Sequence, residues 1–340
     1  MTTKTGFSPS VLKIDAEKEI VHITARIRAL LTNDLKRRGL VVALSGGIDS
    51  SVTAALAIRA VGVERTLVLL MPEWHSSPDT LALSRKVAEA LNANYLHEDI
   101  SRILEAVNFY QRYDDAVRQV IPDYGLGWKS KIVIPDVFTT RGFSLYSVVA
   151  QSPQNCEIRR RLPLKAYLEI VAATNFKQRI RKMMEYYHAD RLHYAVAGTP
   201  NRLEFDQGFF VKLGDGAADI KPIAHLYKTQ VYQLAETLGV PDEICRRPPT
   251  TDTYSLPQGQ DEFYFSLPYD KMDLCLYAYN HGIGADAVGK ALDYSGEKIQ
   301  RVFDDIETKR TTTRYLHLPA QLVSPVSGIE AHELEVGEIP

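Results

Sequence analysis

A doubly wound, parallel α/β fold is predicted by three features of this chain. Strand-like apolar runs alternate with helix-like stretches, a glycine-containing turn joins the first such run to the helix after it, and 45% of the residues are hydrophobic, ample for a full core. Asp15 is placed to cap a first helix, because Ile20, Ile23, Ile27, Leu30 and Leu31 recur at helical spacing before Gly39. Leu40 to Leu44 reads as the first strand and Val52 to Val61 as the helix it feeds. A second strand, Thr66 to Met71, is stopped by Pro72. The next helix starts with Ser77 as N-cap and Pro78 as first helical residue, and Leu83, Val87 and Leu91 form its buried stripe. Asn94 to Ile100 reads as the third strand and His193 to Ala197 as the fourth, ending in Gly198-Thr199. Tyr227, Val231, Leu234 and Leu238 make a further helical stripe, closed by Gly239 and Pro241. This rhythm implies right-handed βαβ units, helices on both faces of the sheet, and ligands at the carboxyl ends of the strands.

With 340 residues the chain suits one large α/β domain or two small ones; we expect a single domain over 1–320, an inserted segment over about 101–174, and a flexible tail over 321–340. The insertion is marked by scattered aromatics, Tyr110, Tyr113, Tyr124, Trp128, Phe138, Tyr146 and Tyr167. A net charge of -2 argues against a broad nucleic-acid-binding face, which needs a basic excess, so the expected partners are small molecules. No apolar run reaches the roughly 18 to 20 residues of a membrane span, and the first ten residues lack the apolar core of a signal peptide, so the expected location is the cytoplasm with no membrane partner. Cys156, Cys245 and Cys275 are far apart and suggest neither a zinc site nor a dithiol motif.

The chemistry is concentrated in Ser45-Gly-Gly-Ile-Asp-Ser-Ser51, set between the first strand and its helix. Such a turn offers several backbone N–H groups at a helix N-terminus, where the helix dipole favours a polyanion. No Lys follows the second glycine, so this is not the loop that cradles the β- and γ-phosphates of hydrolysed nucleotides. Ser-Gly-Gly-x-Asp-Ser resembles instead the pyrophosphate loop of ATP pyrophosphatases, which adenylate a carbonyl oxygen and release pyrophosphate. Further blocks follow in order: Asn175-Phe-Lys-Gln-Arg179-Ile-Arg181, Gly198-Thr199-Pro-Asn201-Arg-Leu-Glu204, Gly208 to Pro222 with Lys212, Asp215 and Asp219, Leu226-Tyr-Lys228-Thr-Gln-Val231, Pro248-Pro-Thr250, Asp261-Glu262 and Tyr269-Asp270. Together they resemble the NAD synthetases.

That resemblance implies a Rossmann-like fold of the adenine nucleotide alpha hydrolase type. It also implies ATP-dependent amidation of nicotinic acid adenine dinucleotide (deamido-NAD) with ammonia through an adenylated carboxylate, giving NAD, AMP and pyrophosphate. Asp49 and Glu204 match the family's magnesium ligands. Ser45, Gly46, Gly47, Asp49, Ser50, Ser51, Met71, Thr199, Lys228 and Thr250 match its ATP contacts, with Asp49 and Lys228 as the catalytic pair. Arg179, Lys212, Asp219 and Lys309 match groups that hold the deamido-dinucleotide, and Phe205 to Ala218 resembles a loop closing over the substrate. Read without the family, Asp49 suits a helix N-cap or a first-turn carboxylate, Glu204 a solvated acid, Lys228 an exposed helical lysine, and Arg179 a basic helix face. The chain departs from the pattern at Leu70, where ammonia-fed members commonly carry Arg, and at Thr308, where the family has His beside the matched Lys309. Only 44 residues precede Ser45, too few for the amidase domain of glutamine-fed members, so free ammonia, or ammonia from a separate protein, is expected. A homodimer is implied by resemblance alone. The alternatives are another ATP-pyrophosphatase ligase acting on a different carboxylate, or a catalytically silent nucleotide-binding sensor.

Overall fold

Successive residues of a strand point to opposite faces, and each buried strand of the parallel sheet accordingly feeds two separate cores. In the computed structural model, which describes residues 7–134, 146–251, 253–259, 264–265, 267–324 and 326, the chain runs α1 (Ala16–Ala29), β1 (Leu40–Ala43), α2 (Ile48–Val61), β2 (Thr66–Leu70), α3 (Pro78–Ala90) and β3 (Asn94–His97). Then come α4 (Ser101–Ala106), α5 (Phe109–Arg118), β4 (Lys129–Val133), β5 (Ser147–Gln151), β6 (Glu157–Arg161), α6 (Leu164–Leu192) and β7 (Ala195–Ala197). The remainder is α7 (Arg202–Gln207), α8 (Lys228–Thr237), α9 (Asp242–Arg246), β8 (Thr250–Thr251), β9 (Gln258–Gly259), α10 (Tyr269–Asn280), α11 (Ala285–Leu292) and α12 (Gly296–His317).

Among the described residues the main sheet has the order β3-β2-β1-β7, every pair parallel, with Val42 opposite both Val68 and Ala197. Leu40, Val42, Val68, Leu70, Ala195 and Ala197 pack on α1, α2, α3 and α8, while Val41, Leu67, Leu69 and Val196 face α4, α5 and α6. The predicted doubly wound sheet is therefore present. Full burial of a Val or Leu stabilises by about 1.5–3 kcal/mol, so this two-sided packing dominates the local energetics. The edge strand β3 is exposed along its length, unlike the central strands. A third core joins α10, α11 and α12 to Leu12.

The caps follow the sequence closely. Asp15 accepts from the Lys18 N–H, and the Ser77 hydroxyl accepts from the Asp79 N–H just ahead of α3. Helix α2 begins at Ile48, four residues before the expected start, because the glycine turn itself forms its N-terminus. The stripe expected from Tyr227 becomes α8, with Tyr227 as N-cap.

Residues 101–174 hold α4, α5, the antiparallel sheet β4-β5-β6 and the first turns of α6. Phe109, Tyr113, Ile132, Val148 and Ala150 share one core with Val41 and Val196, so this segment and the parallel sheet are packed together. Phe138, Asp261 and Glu262 lie outside the described residues, as does most of the tail from 321 onward. Among the described residues no helix is long and apolar enough to cross a membrane. The cysteines Cys156, Cys245 and Cys275 are unbridged.

Candidate active site

The strand order reverses between β2 and β7 around β1, and the turns leaving the carboxyl ends of β1 and β7 meet there. The turn after β1 depends on glycine at one position. Gly46 has φ +74, and a Cβ there would come within 2.9 Å of Leu83 Cβ and 3.1 Å of Ser84 N. Its neighbours are tied inward: the Ser50 hydroxyl donates to Gly47 O at 2.9 Å, the Ser51 hydroxyl to the same oxygen at 2.8 Å, and Ser45 N donates to Ser50 Oγ at 3.2 Å. Helix α2 starts directly after Gly47, so its first N–H groups lack intrahelical partners and its dipole points at the turn.

Asp49 sits in the first turn of α2. One carboxylate oxygen is ion-paired with Lys228 Nζ and the other accepts from Asn201 Nδ2 at 3.1 Å. Asn201 follows β7 and caps α7, accepting from Leu203 N at 2.9 Å and Glu204 N at 3.2 Å, while Glu204 Oε2 accepts from Asn201 N at 3.2 Å. One asparagine thus ties both predicted acidic ligands to the switch point.

Lys228 is the first residue of α8 and is only 2% exposed. Burial alone would lower its pKa, yet the Asp49 and Glu204 carboxylates outweigh that and hold it above the usual lysine value. The N-terminus of α8 is capped from α10 by Asp273, which accepts from Lys228 N at 3.2 Å and from Thr229 N and Thr229 Oγ1 at 2.7 and 2.8 Å. Complete burial pushes the Asp273 carboxyl up to about 7, against the pull of the Thr229 and Lys228 donors.

Ser45, Gly46, Gly47, Asp49, Ser50, Thr199, Glu204, Lys228 and Thr250 all line one cavity of about 720 Å³. Met71 lines an adjoining cavity of about 200 Å³ shared with Ser45, Ser50 and Thr199. Ser51 lines neither, since its hydroxyl shapes the turn from inside. Arg179, Lys212, Asp219 and Lys309 are not in the cavity wall. Arg179 Nε donates to Lys212 O at 3.4 Å, and Lys212 Nζ donates to Tyr315 O and Leu318 O. Asp219 accepts from Val196 N at 2.7 Å and Tyr186 Oη at 3.3 Å; Lys309 Nζ reaches Asp305 and Tyr264 O. Phe209, Phe210, Val211 and Asp215 of the glycine-rich segment do line the cavity.

Sequence reasoning passed over a buried ion pair that adjoins the cavity without lining it. Lys177, 1% exposed, bonds Thr253 O at 2.9 Å and pairs with Glu73 Oε1 at 2.7 Å. Glu73 Oε2 accepts from His75 N at 2.9 Å and Tyr110 Oη at 3.1 Å. Burial and the nearby Lys177 ammonium lower the His75 pKa to about 4. Nothing in the run Lys177 to Lys182 distinguishes the buried Lys177 and Lys182 from exposed Arg179; only a phase count along α6 would have hinted at it. Asp273 was equally hidden, as its partners stand 44 and 45 positions away.

Among the described residues no group of three His, Cys, Asp or Glu side chains could hold a metal by itself. Two carboxylates, a buried lysine and a helix N-terminus in one cavity can bind a polyphosphate and stabilise charge developing on it.

Comparison with known proteins gives a consistent result. A family model described as NAD synthase matches residues 19–122 and 144–314. The chain is 58% identical over 324 residues to a protein of Rhizobium meliloti (strain 1021) named NH(3)-dependent NAD(+) synthetase, covering 95% of this chain and 97% of that one. Its fold is similar to an NMN synthetase from Francisella tularensis (TM-score 0.64, 20% identity, 91% of this chain and 99% of that one). It is also similar to the NH3-dependent NAD synthetase from Campylobacter jejuni solved with nitrate (TM-score 0.58, 20% identity, 92% and 100%).

Proposed function

This chain belongs to the NAD synthase family, and we propose that it amidates deamido-NAD with ammonia at the expense of ATP, releasing AMP and pyrophosphate. The observation that carries this reading is the meeting of the glycine turn, Asp49, Glu204 and Lys228 around one cavity. A carboxylate is a poor acyl donor. Its oxygen attacks the α-phosphorus of ATP, the bond to the β-phosphate oxygen breaks, and pyrophosphate leaves with that electron pair. Ammonia then attacks the acyl-adenylate carbonyl, AMP departs, and one proton is released as the amide forms.

The residues divide this work by charge. Ser45, Gly46, Gly47 and Ser50, with the N-terminus of α2, cradle the phosphates, Ser51 braces the turn from within, and Lys228 supplies a fixed cation for the charge that builds on them. Met71, Thr199 and Thr250 complete the ATP contacts. Asp49 and Glu204 fit magnesium as hard oxygen donors, and a pair of carboxylates leaves the remaining positions to phosphate and water, as that ion prefers. Bound there, magnesium would neutralise phosphate charge. Arg179, Lys212, Asp219 and Lys309 lie away from the cavity wall and would hold the outer part of the dinucleotide, with Phe205 to Ala218 closing over the reacting end. We further infer a cytoplasmic homodimer; exposed Leu164, Leu168, Met183 and Tyr187 along α6 favour a partner surface, which sedimentation would test.

The deciding assay supplies ATP, magnesium, ammonium and deamido-NAD. NAD, AMP and pyrophosphate are expected in equal amounts. ADP as the nucleotide product, or no NAD, refutes the reading.

A further inference from the structure

Lys177 and Glu73 form an ion pair whose side chains are 1% and 0% exposed, set behind the cavity wall and not in it. Burial alone would raise the Glu73 carboxyl, yet the Lys177 ammonium and His75 outweigh it and hold the group below its ordinary value, so it is ionised at neutral pH. Desolvating two charges offsets most of their attraction, so a dry pair of this kind adds little net stability over an apolar pair of the same shape. Its distinguishing effect is geometric.

The pair ties together two stretches that do line the cavity. From α6, Lys177 Nζ reaches Glu73 Oε1 at 2.7 Å and donates to Thr253 O at 2.9 Å. Glu73 Oε2 accepts from His75 N at 2.9 Å and from Tyr110 Oη at 3.1 Å, Glu73 N donates to Ser76 Oγ at 3.2 Å, and the Trp74 ring stacks on Tyr110 with centroids 4.7 Å apart. Trp74, His75, Ser76 and Ser77 are thereby held on one side of the pair, and Thr250 and Thr253 on the other, all six in the cavity wall. The first stretch adjoins the glycine turn, because α3, which Ser77 caps, packs so closely on it that a Cβ at Gly46 would come within 2.9 Å of Leu83 Cβ.

We propose that Lys177 and Glu73 are positioning residues for ATP, their ion pair fixing the turn of Trp74 to Ser77 and the segment of Thr250 and Thr253 at the spacing the nucleotide needs. The inference rests on the NAD-forming reading, in which the glycine turn and Thr250 contact ATP. Neither residue touches the nucleotide; each acts through the backbone it holds, and a small misplacement of groups around a reacting phosphate is costly. The effect is specific to ATP, since Arg179, Lys212, Asp219 and Lys309, which would hold the dinucleotide, are bonded to other parts of the chain.

The test measures ATP binding with magnesium by calorimetry, steady-state kinetics and thermal melting on the full chain carrying Lys177→Met, or Lys177→Met together with Glu73→Gln. Lys177→Met strands a buried carboxylate, so it should lower the melting temperature and raise both Kd and KM for ATP about tenfold, while KM for deamido-NAD stays within about twofold. The double variant removes both charges at nearly constant volume and leaves an acceptor for His75 N and Tyr110 Oη. It should regain most of the melting temperature but not the ATP affinity, because Thr253 O still lacks its donor. Recovery of melting and ATP affinity together, ATP affinity within about twofold of the parent in either variant, or equal rises in the two KM values refutes the proposal. If Lys177→Met alone does not fold, the double variant decides. An unaltered chain that binds ATP yet makes no NAD would refute the parent reading instead, and the calorimetry would still judge the pair.

Discussion

Replacing Lys228 by Met separates what this lysine does for stability from what it does for chemistry. The ammonium is buried and paired with Asp49, whose own side chain is 15% exposed. Removing one member of a buried pair costs about 3–5 kcal/mol, because the other charge is left without compensation. Asp49 keeps the Asn201 bond at 3.1 Å and the favourable end of α2, so the lower figure, about 3 kcal/mol, applies. At about 2.1 cal/mol/K per residue, 340 residues give an unfolding entropy of about 0.7 kcal/mol/K, and the melting temperature should fall by about 4 °C. Loss of a fixed cation at the phosphates should lower kcat by about 10²–10³-fold. The double variant Asp49→Asn with Lys228→Met removes the stranded carboxylate and should regain melting temperature without regaining turnover. Calorimetry and pyrophosphate release read the two quantities separately. A single variant that melts like the parent, or turns over within about threefold of it, would refute this account of the pair.

Gly46→Ala should destabilise the turn by about 1–3 kcal/mol and raise KM for ATP, since it places a side chain at positive φ against Leu83; nucleotide binding by calorimetry checks this. For Asp273 the folded pKa, about 7, lies above the unfolded value, so its contribution favours the folded state in acid and is lost as pH rises from about 4 to about 7. Asp273→Asn should flatten the stability-versus-pH curve over that window, and denaturant titrations of both chains that run parallel there would contradict the assignment. For His75 the folded pKa is depressed to about 4, so stability is present at neutral pH and is lost as pH falls from about 6.5 to about 4. The His75 ring resonances should accordingly stay in the neutral form at pH 5.5, a point that proton NMR decides.

How far the sequence carries can be judged from particular residues. Local patterns act through neighbours a few positions away, so Asp15 and Ser77 specified caps, and apolar runs such as Leu40 to Leu44 alternating with helical stretches specified a sheet covered on both faces, without tertiary knowledge. The glycine turn was equally legible, because its strand, bend and helix are contiguous. Lys228 read alone as a surface lysine; its burial against Asp49, 179 positions away, exists only because β1 and β7 are adjacent and α8 packs on α2. Lys177 with Glu73, and Asp273 with Thr229, are likewise pairs formed between remote elements. By itself the sequence determined the alternating fold, the anion-binding bend and the residue types available for the chemistry. Tertiary structure alone decided which charges were stripped of water and paired, since desolvation depends on everything packed around a group and not on the residues beside it in the chain.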